Sequence, residues 1–146
     1  PQQELAKPRP NVHEGYGRVD LDALTLLADH TAFIDEKDGV ATGASKEVSF
    51  TLAAGKGLRA TLVYTDAPAS PSAGKALVND LDLEVVDPSG AVTSLKDSIN
   101  NTEMVEMKAG AAPAGDYRIR VVGKNVPQGR GVTGKLPYAL VISTVD

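Results

Sequence analysis

From residue 31 onward the chain is written in short runs of apolar and polar residues, separated by Gly, Pro, Asn and Asp. The runs are TAFIDEK, KEVSFTLAA, LRATLVYTD, LDLEVVD, AVTSL, EMVEMKA, DYRIRVVGK and YALVISTV. Alternation with a period of two sends one set of side chains to a core and the other to water, which is the signature of a half-buried strand. Tyr117, Ile119 and Val121 against Arg118 and Arg120 show it most clearly. Eight such runs so closely spaced predict an all-β fold, an antiparallel β-sandwich or jelly roll, rather than alternating strands and helices. The turns agree: Asp87-Pro88-Ser89-Gly90 and Pro113-Ala114-Gly115-Asp116 each end one run before the next begins. Two longer loops are predicted, at 67–77 and 125–137.

The first 30 residues follow a different pattern. Residues 1–17 hold Pro1, Pro8, Pro10, Gly15 and Gly17 and few apolar side chains, so they read as an extended tail. In residues 18–30 Leu21, Leu24, Leu27 and Ala28 recur at helical spacing, with Asp20 and Asp22 near the N-terminal end and His30 at the other. That spacing predicts one short amphipathic α-helix.

Composition narrows the chemistry. The 146 residues suit one domain plus an appendage. The absence of cysteine excludes disulfides, zinc-thiolate and iron-sulfur sites and thiol nucleophiles. A net charge of −4, scattered basic residues and 4% aromatics argue against nucleic acid. No apolar run reaches the length of a membrane span. The chain starts without Met and without a signal peptide, which reads as a fragment or a processed product.

Several motifs lose to plainer readings. GRGVTGK, residues 129–135, has phosphate-loop spacing, but Leu136 replaces the magnesium-binding hydroxyl and Pro137 leads into a strand, so a Gly-rich hairpin loop is expected. His13 and His30 are the only histidines, and without a G-x-S-x-G elbow a serine triad within this chain is not expected. Asn100-Asn101-Thr102 is formally a glycosylation sequon and predicts a surface loop. Tyr64, Phe33, Phe50 and the other tyrosines are expected in the core.

The stretch VNDLDLEVVDPSG, residues 78–90, carries the chemistry of most interest. Leu81, Leu83 and Val85 share one strand face, and Asp80, Asp82 and Glu84 share the other. Like charges on one short face repel unless water, salt or a bound cation screens them. An EF-hand is excluded because Val85 sits where that loop needs Gly. Two readings stay open: a solvated acidic strand, or a calcium site built from separate segments. The candidate ligands are Asp66, Asp80, Asp82, Asn101 and Glu103, with Asp80 and Asp82 converging if the strand bends. Glu84 is expected to be merely solvated.

Three stretches together resemble subtilisin-like serine proteases. GYGRVDLDALTLL, residues 15–27, is similar to the last helix of their catalytic domain. LVYTDAPASPSAGKALVNDLDLEVVDPSG, residues 62–90, resembles the strand-loop-strand signature of the C-terminal β-domain many of them carry, with Tyr64 where Trp is usual. INNTEMVEM and AGDYRIRVVGKNVPQG, residues 99–107 and 114–129, resemble later elements of the same domain in the right order.

The resemblance implies that residues 1–30 are the tail and final helix of an upstream catalytic domain and residues 31–146 a C-terminal jelly roll. It implies a secreted serine endopeptidase as parent, acting on protein or peptide substrates, with that catalytic domain as the partner of this one. Catalytic motifs such as G-T-S-M-A do not occur here, so the chain itself is expected to be inactive. It further implies calcium, with Asp80 and Asp82 as the matching positions and Asp66, Asn101 and Glu103 as completions. The segment between Leu95 and Asn100 is short for such a domain, which narrows the second half of any metal shell. An alternative expectation is a module that targets the protease to a substrate or surface through the loops at 67–77 and 125–137.

Overall fold

The computed structural model describes residues 31–130 and 133–145, together with Gly15. The predicted helix, nearly all of the tail and the boundary between residues 30 and 31 therefore lie outside the described residues. Each of the eight predicted runs forms a strand: β1 (Thr31–Val40), β2 (Ser45–Leu52), β3 (Gly57–Val63), β4 (Asp80–Val86), β5 (Val92–Leu95), β6 (Thr102–Met107), β7 (Gly115–Asn125) and β8 (Leu136–Val145). They make two antiparallel four-stranded sheets, ordered β1-β8-β3-β6 and β2-β7-β4-β5.

The pairing is nested: β1 with β8, β2 with β7, β3 with β6, β4 with β5. A long two-stranded ribbon rolled into a sandwich pairs in this way, and the strand order is that of a jelly roll. Nesting also places the β1–β2, β3–β4, β5–β6 and β7–β8 connections at one end of the sandwich.

Inward-facing positions of both sheets fill the core. Leu58, Ala60 and Leu62 of β3 and Leu140 and Ile142 of β8 meet Leu81, Leu83 and Val85 of β4 and Tyr117, Ile119 and Val121 of β7. Tyr64 and Tyr138 are buried as expected, and Phe50 packs against the core. Phe33 does not; it is 61% exposed. It alternates with Ala32 and Ile34, which pack inward, so the phase of β1 turns it outward despite its size.

Asp87 Oδ1 closes the β4–β5 turn by accepting from Ser89 N at 2.8 Å, Ser89 Oγ at 2.6 Å and Ala91 N at 2.9 Å. Gly90 completes it at φ 90°, a value that suits glycine alone among common residues. Near the loop end the β4–β7 ladder is irregular: Asp80 lies opposite Asn125 and Leu81 opposite Gly123, so Lys124 is an extra residue on β7. A bulge of this kind bends the pair and re-aims neighbouring side chains.

Candidate functional site

Two clusters grow out of the acidic stretch. The first pins the loops together. Asp66, just past β3, accepts from Ala67 N at 2.8 Å, Val78 N at 2.7 Å and Asn79 N at 2.9 Å, so one carboxylate closes the whole β3–β4 loop on itself. Asn79, fully buried, donates from Nδ2 to Asp66 Oδ1 at 2.9 Å and to Gln128 O at 3.1 Å, and its Oδ1 accepts from Gln128 N at 2.9 Å. Its amide thus pairs with the β7–β8 loop as one more strand residue would.

Tyr64 extends the network. Its hydroxyl donates to Asn79 O at 3.1 Å and accepts from Leu81 N at 3.4 Å. Its backbone pairs with Asn101, whose Nδ2 donates to Tyr64 O at 2.7 Å. Burial pushes the Tyr64 hydroxyl well above the usual tyrosine range, and the charges of Asp80, Asp66 and Glu103 push it further. Three connections, β3–β4, β5–β6 and β7–β8, are thereby tied to one another.

The second cluster joins the sheets. Glu103 of β6 is fully buried; its Oε2 accepts from Leu83 N of β4 at 2.6 Å and its Oε1 from Asp97 N at 2.9 Å. Burial raises its carboxyl to about 7; the two N–H donors oppose that rise, and the charges of Asp82 and Asp80 add to it. Asp82 is only 6% exposed, not on a wet face, and burial followed by the charge of Asp80 lifts it above the usual carboxylate range. Lys96 and Lys124 pull it back. Asp80 Oδ1 is buried with no hydrogen-bond partner.

Glu84 is not merely solvated. Across β2, β7 and β4 the register sets Glu47, Arg120 and Glu84 side by side. Arg120 reaches Glu84 Oε2 at 3.2 Å and Glu47 Oε1 at 3.3 Å.

The five candidate ligands therefore divide. The charges of Asp80 and Asp82 bear on Glu103, and that of Asp80 on Asp82, whereas Asp66 and Asn101 belong to the loop network. Both oxygens of Asp66 and of Glu103 accept backbone N–H groups, which occupies lone pairs an ion would need. Among the described residues, no group of three or more His, Cys, Asp and Glu side chains is arranged to hold a metal. Asp82 is nearly buried and feels the charge of Asp80, whose Oδ1 is buried without a donor; of the five, these two have the oxygens that could take a hard cation. Asn79 and Gln128, which organise this end of the molecule, were absent from the sequence-based candidates; a buried Asn that pairs with a loop 49 positions away leaves no local signal.

At the ends of the described parts of the Gly-rich stretch, Arg130 and Lys135 form an isolated antiparallel bridge. Arg130 N donates to Lys135 O at 2.7 Å, and Lys135 Nζ pairs with Asp38 at 2.8 Å. The sequon lies on an exposed loop, where Asn100 Nδ2 donates to Asp97 Oδ2 at 2.6 Å.

No protein-family model and no curated protein matches the chain. Among solved structures, the chain is similar to the periplasmic inhibitor of g-type lysozyme PliG from Aeromonas hydrophila, at 17% identity and a TM-score of 0.42, over 79% of this chain and 86% of that one. A likeness at that level carries no argument about function. Among the described residues no helix is long and apolar enough to cross a membrane.

Proposed function

We propose that this chain is the non-catalytic C-terminal β-domain of a secreted subtilisin-like serine endopeptidase, and that it binds calcium and stabilises the enzyme to which it is joined. The reading rests on the family resemblance at residues 15–27, 62–90, 99–107 and 114–129. One structural observation supports the calcium part: a buried carboxylate oxygen on Asp80 without a donor, beside the shielded carboxylate of Asp82. Burying like charges without compensation is costly, and a cation removes the cost. Asp80 and Asp82 would hold the ion, which would supply the missing positive charge, with water completing its oxygen shell. Asp66, Asn101 and Glu103 would then act beside the site, fixing the loops and the β4–β6 contact.

An ion that binds only the folded chain adds about 2.7 kcal/mol at a hundredfold excess over its Kd. Melting scans with calcium and with chelator test this. The wild-type midpoint is expected to rise with calcium. Asp80→Asn and Asp82→Asn are expected to melt higher than wild type in chelator, because repulsion is relieved, and to lose the calcium response. An unchanged wild-type midpoint would defeat the metal assignment. The protease assignment is tested separately, by whether the coding sequence upstream of Pro1 contains a G-T-S-M-A nucleophile motif.

A second reading, a targeting module, is favoured by the pinned loop end. A cleft of about 590 Å³ opens there between the β3–β4 and β5–β6 connections, with Pro68, Pro71, Leu77 and the exposed Ile99 in its walls. Retention on insoluble protein or glycan that is lost when the loop at 67–77 is altered would favour this reading over simple stabilisation.

A further inference from the structure

Asp82 stands between two lysines. On the β5 side the register pairs Leu83 with Leu95 and Glu84 with Ser94, and one further step of it sets Lys96 directly across from Asp82. On the β7 side Asp82 lies opposite Val122, and Lys124 is the extra residue of the bulge, between the partners of Asp80 and Leu81. Residues directly opposite on antiparallel strands have Cβ atoms about 5 Å apart and diagonal neighbours about 7–8 Å, which a lysine stem can span.

The charges on both sides are uncommitted. Lys96 and Lys124 are exposed, and among the described residues neither ammonium group makes a hydrogen bond or an ion pair. Asp82, almost fully buried, accepts no hydrogen bond on its carboxylate from a described residue, and Asp80 Oδ1 is buried without a donor. Glu84, the third carboxylate of the strand, is already held by Arg120. Burial and the charge of Asp80 lift Asp82 above the usual carboxylate range, and Lys96 and then Lys124 draw it back without cancelling the rise.

We infer that Lys96 and Lys124 are tethered counter-cations of Asp80 and Asp82, which hold the place of the ion in the calcium-free chain and set how tightly calcium binds. The second half rests on the calcium reading given above; the first concerns the calcium-free chain alone. An ammonium group on a flexible four-carbon stem can approach a carboxylate and withdraw from it again. Two such groups therefore soften the repulsion between Asp80 and Asp82 while the site is empty, and oppose a dication that enters it. In water, one positive charge about 7 Å from a dication weakens its binding by about fivefold, and added salt screens the effect.

Two measurements on the full chain test the two halves. In calorimetric titrations with calcium chloride at low ionic strength, Lys96→Gln and Lys124→Gln are each expected to tighten binding about fivefold, a gain that shrinks to about twofold or less in about 0.5 M sodium chloride. Lys108→Gln, just past the far end of β6, is expected to leave the affinity unchanged. In melting scans with chelator, Lys96→Gln combined with Lys124→Gln is expected to lower the midpoint by about 2–4 °C, and to have no effect when Asp82→Asn is also present. Unchanged or weaker binding in the lysine variants, with calcium bound by the wild type, overturns the inference and leaves the calcium reading intact. A wild type that binds no calcium overturns the calcium reading instead, and the scans in chelator then decide the counter-charge role: a loss confined to chains that keep Asp82 upholds it, and equal losses with and without Asp82 overturn it.

Discussion

Replacing Asn79 with Ala would remove three side-chain hydrogen bonds at once, two of them to the backbone of Gln128 and one to Asp66. Both Gln128 groups would be left without their partners in a part-buried place. The expected loss is about 2–4 kcal/mol, read from urea unfolding. Asn79→Asp should cost more, since it sets a second carboxylate against that of Asp66.

Glu103 makes stability depend on pH with a definite sign. Its folded value near 7 lies above the ordinary 4.5, so between those values the folded chain holds the proton more tightly than the unfolded chain does. The contribution is therefore fully present below pH 4.5 and lost as pH rises through 7, a difference on the order of 3 kcal/mol. Asp82 shifts in the same direction. Asp87 and Asp97 are held below 3.8 by their hydrogen bonds, so they act only in stronger acid and leave this window clear. Without calcium the melting midpoint should fall from pH 5 to pH 8, and Glu103→Gln should flatten that slope. A wild-type midpoint that rises over the same interval would show that the burial of Glu103 does not control it.

At the scale of elements, strand contacts at the loop end leave no room for change. A Cβ on Gly123 would stand 2.1 Å from Ala41 O, a backbone atom that cannot swing aside. Gly123 also exchanges backbone hydrogen bonds with Gly43 at 2.7 Å and Ala44 at 2.9 Å. Gly123→Ala should therefore push β7 off the β1–β2 connection and cost about 2–4 kcal/mol in a chemical melt. Gly90→Ala meets open space and pays only for its positive φ, on the order of 1 kcal/mol. The ranking, with Gly123 well above Gly90, is the measurable outcome. The strands themselves were legible because alternation and turn residues are local: all eight runs became strands, and Asp87-Pro88-Ser89-Gly90 became the turn its residues suit. Phe33 was misjudged because size favours the core, while phase, set by Ala32 and Ile34, decides the side.

For the whole molecule, the proposed reading as a C-terminal domain whose catalytic motifs lie elsewhere carries the expectation that the chain by itself hydrolyses no casein, because a G-T-S-M-A motif does not occur in it. Measurable peptidase activity in pure material would overturn the proposal that it is a non-catalytic domain. The candidate site was only half legible for a physical reason. Carboxylates near a β-turn announce an affinity for cations, but each oxygen is committed by whichever donor the fold brings nearest. Backbone N–H groups took Asp66 and Glu103, the peptide of Tyr64 took Asn101, and Asp80 Oδ1 was left without a donor.

Sequence alone determined the strands, their core faces and the turns between them, because those follow from a period of two and from the conformational freedom of Gly and Pro. It also placed the acidic groups at one end of the chain's central strand. Tertiary structure alone decided the rest: the nested pairing that gathers the loops, the bulge at Lys124 beside Asp80, the burial of Asp82 and Glu103, and the pairing of Glu84 with Arg120. Those depend on contacts between residues far apart in the chain, such as Glu103 with Leu83, Asn79 with Gln128 and Thr31 with Ser143, and no local pattern encodes such a partner.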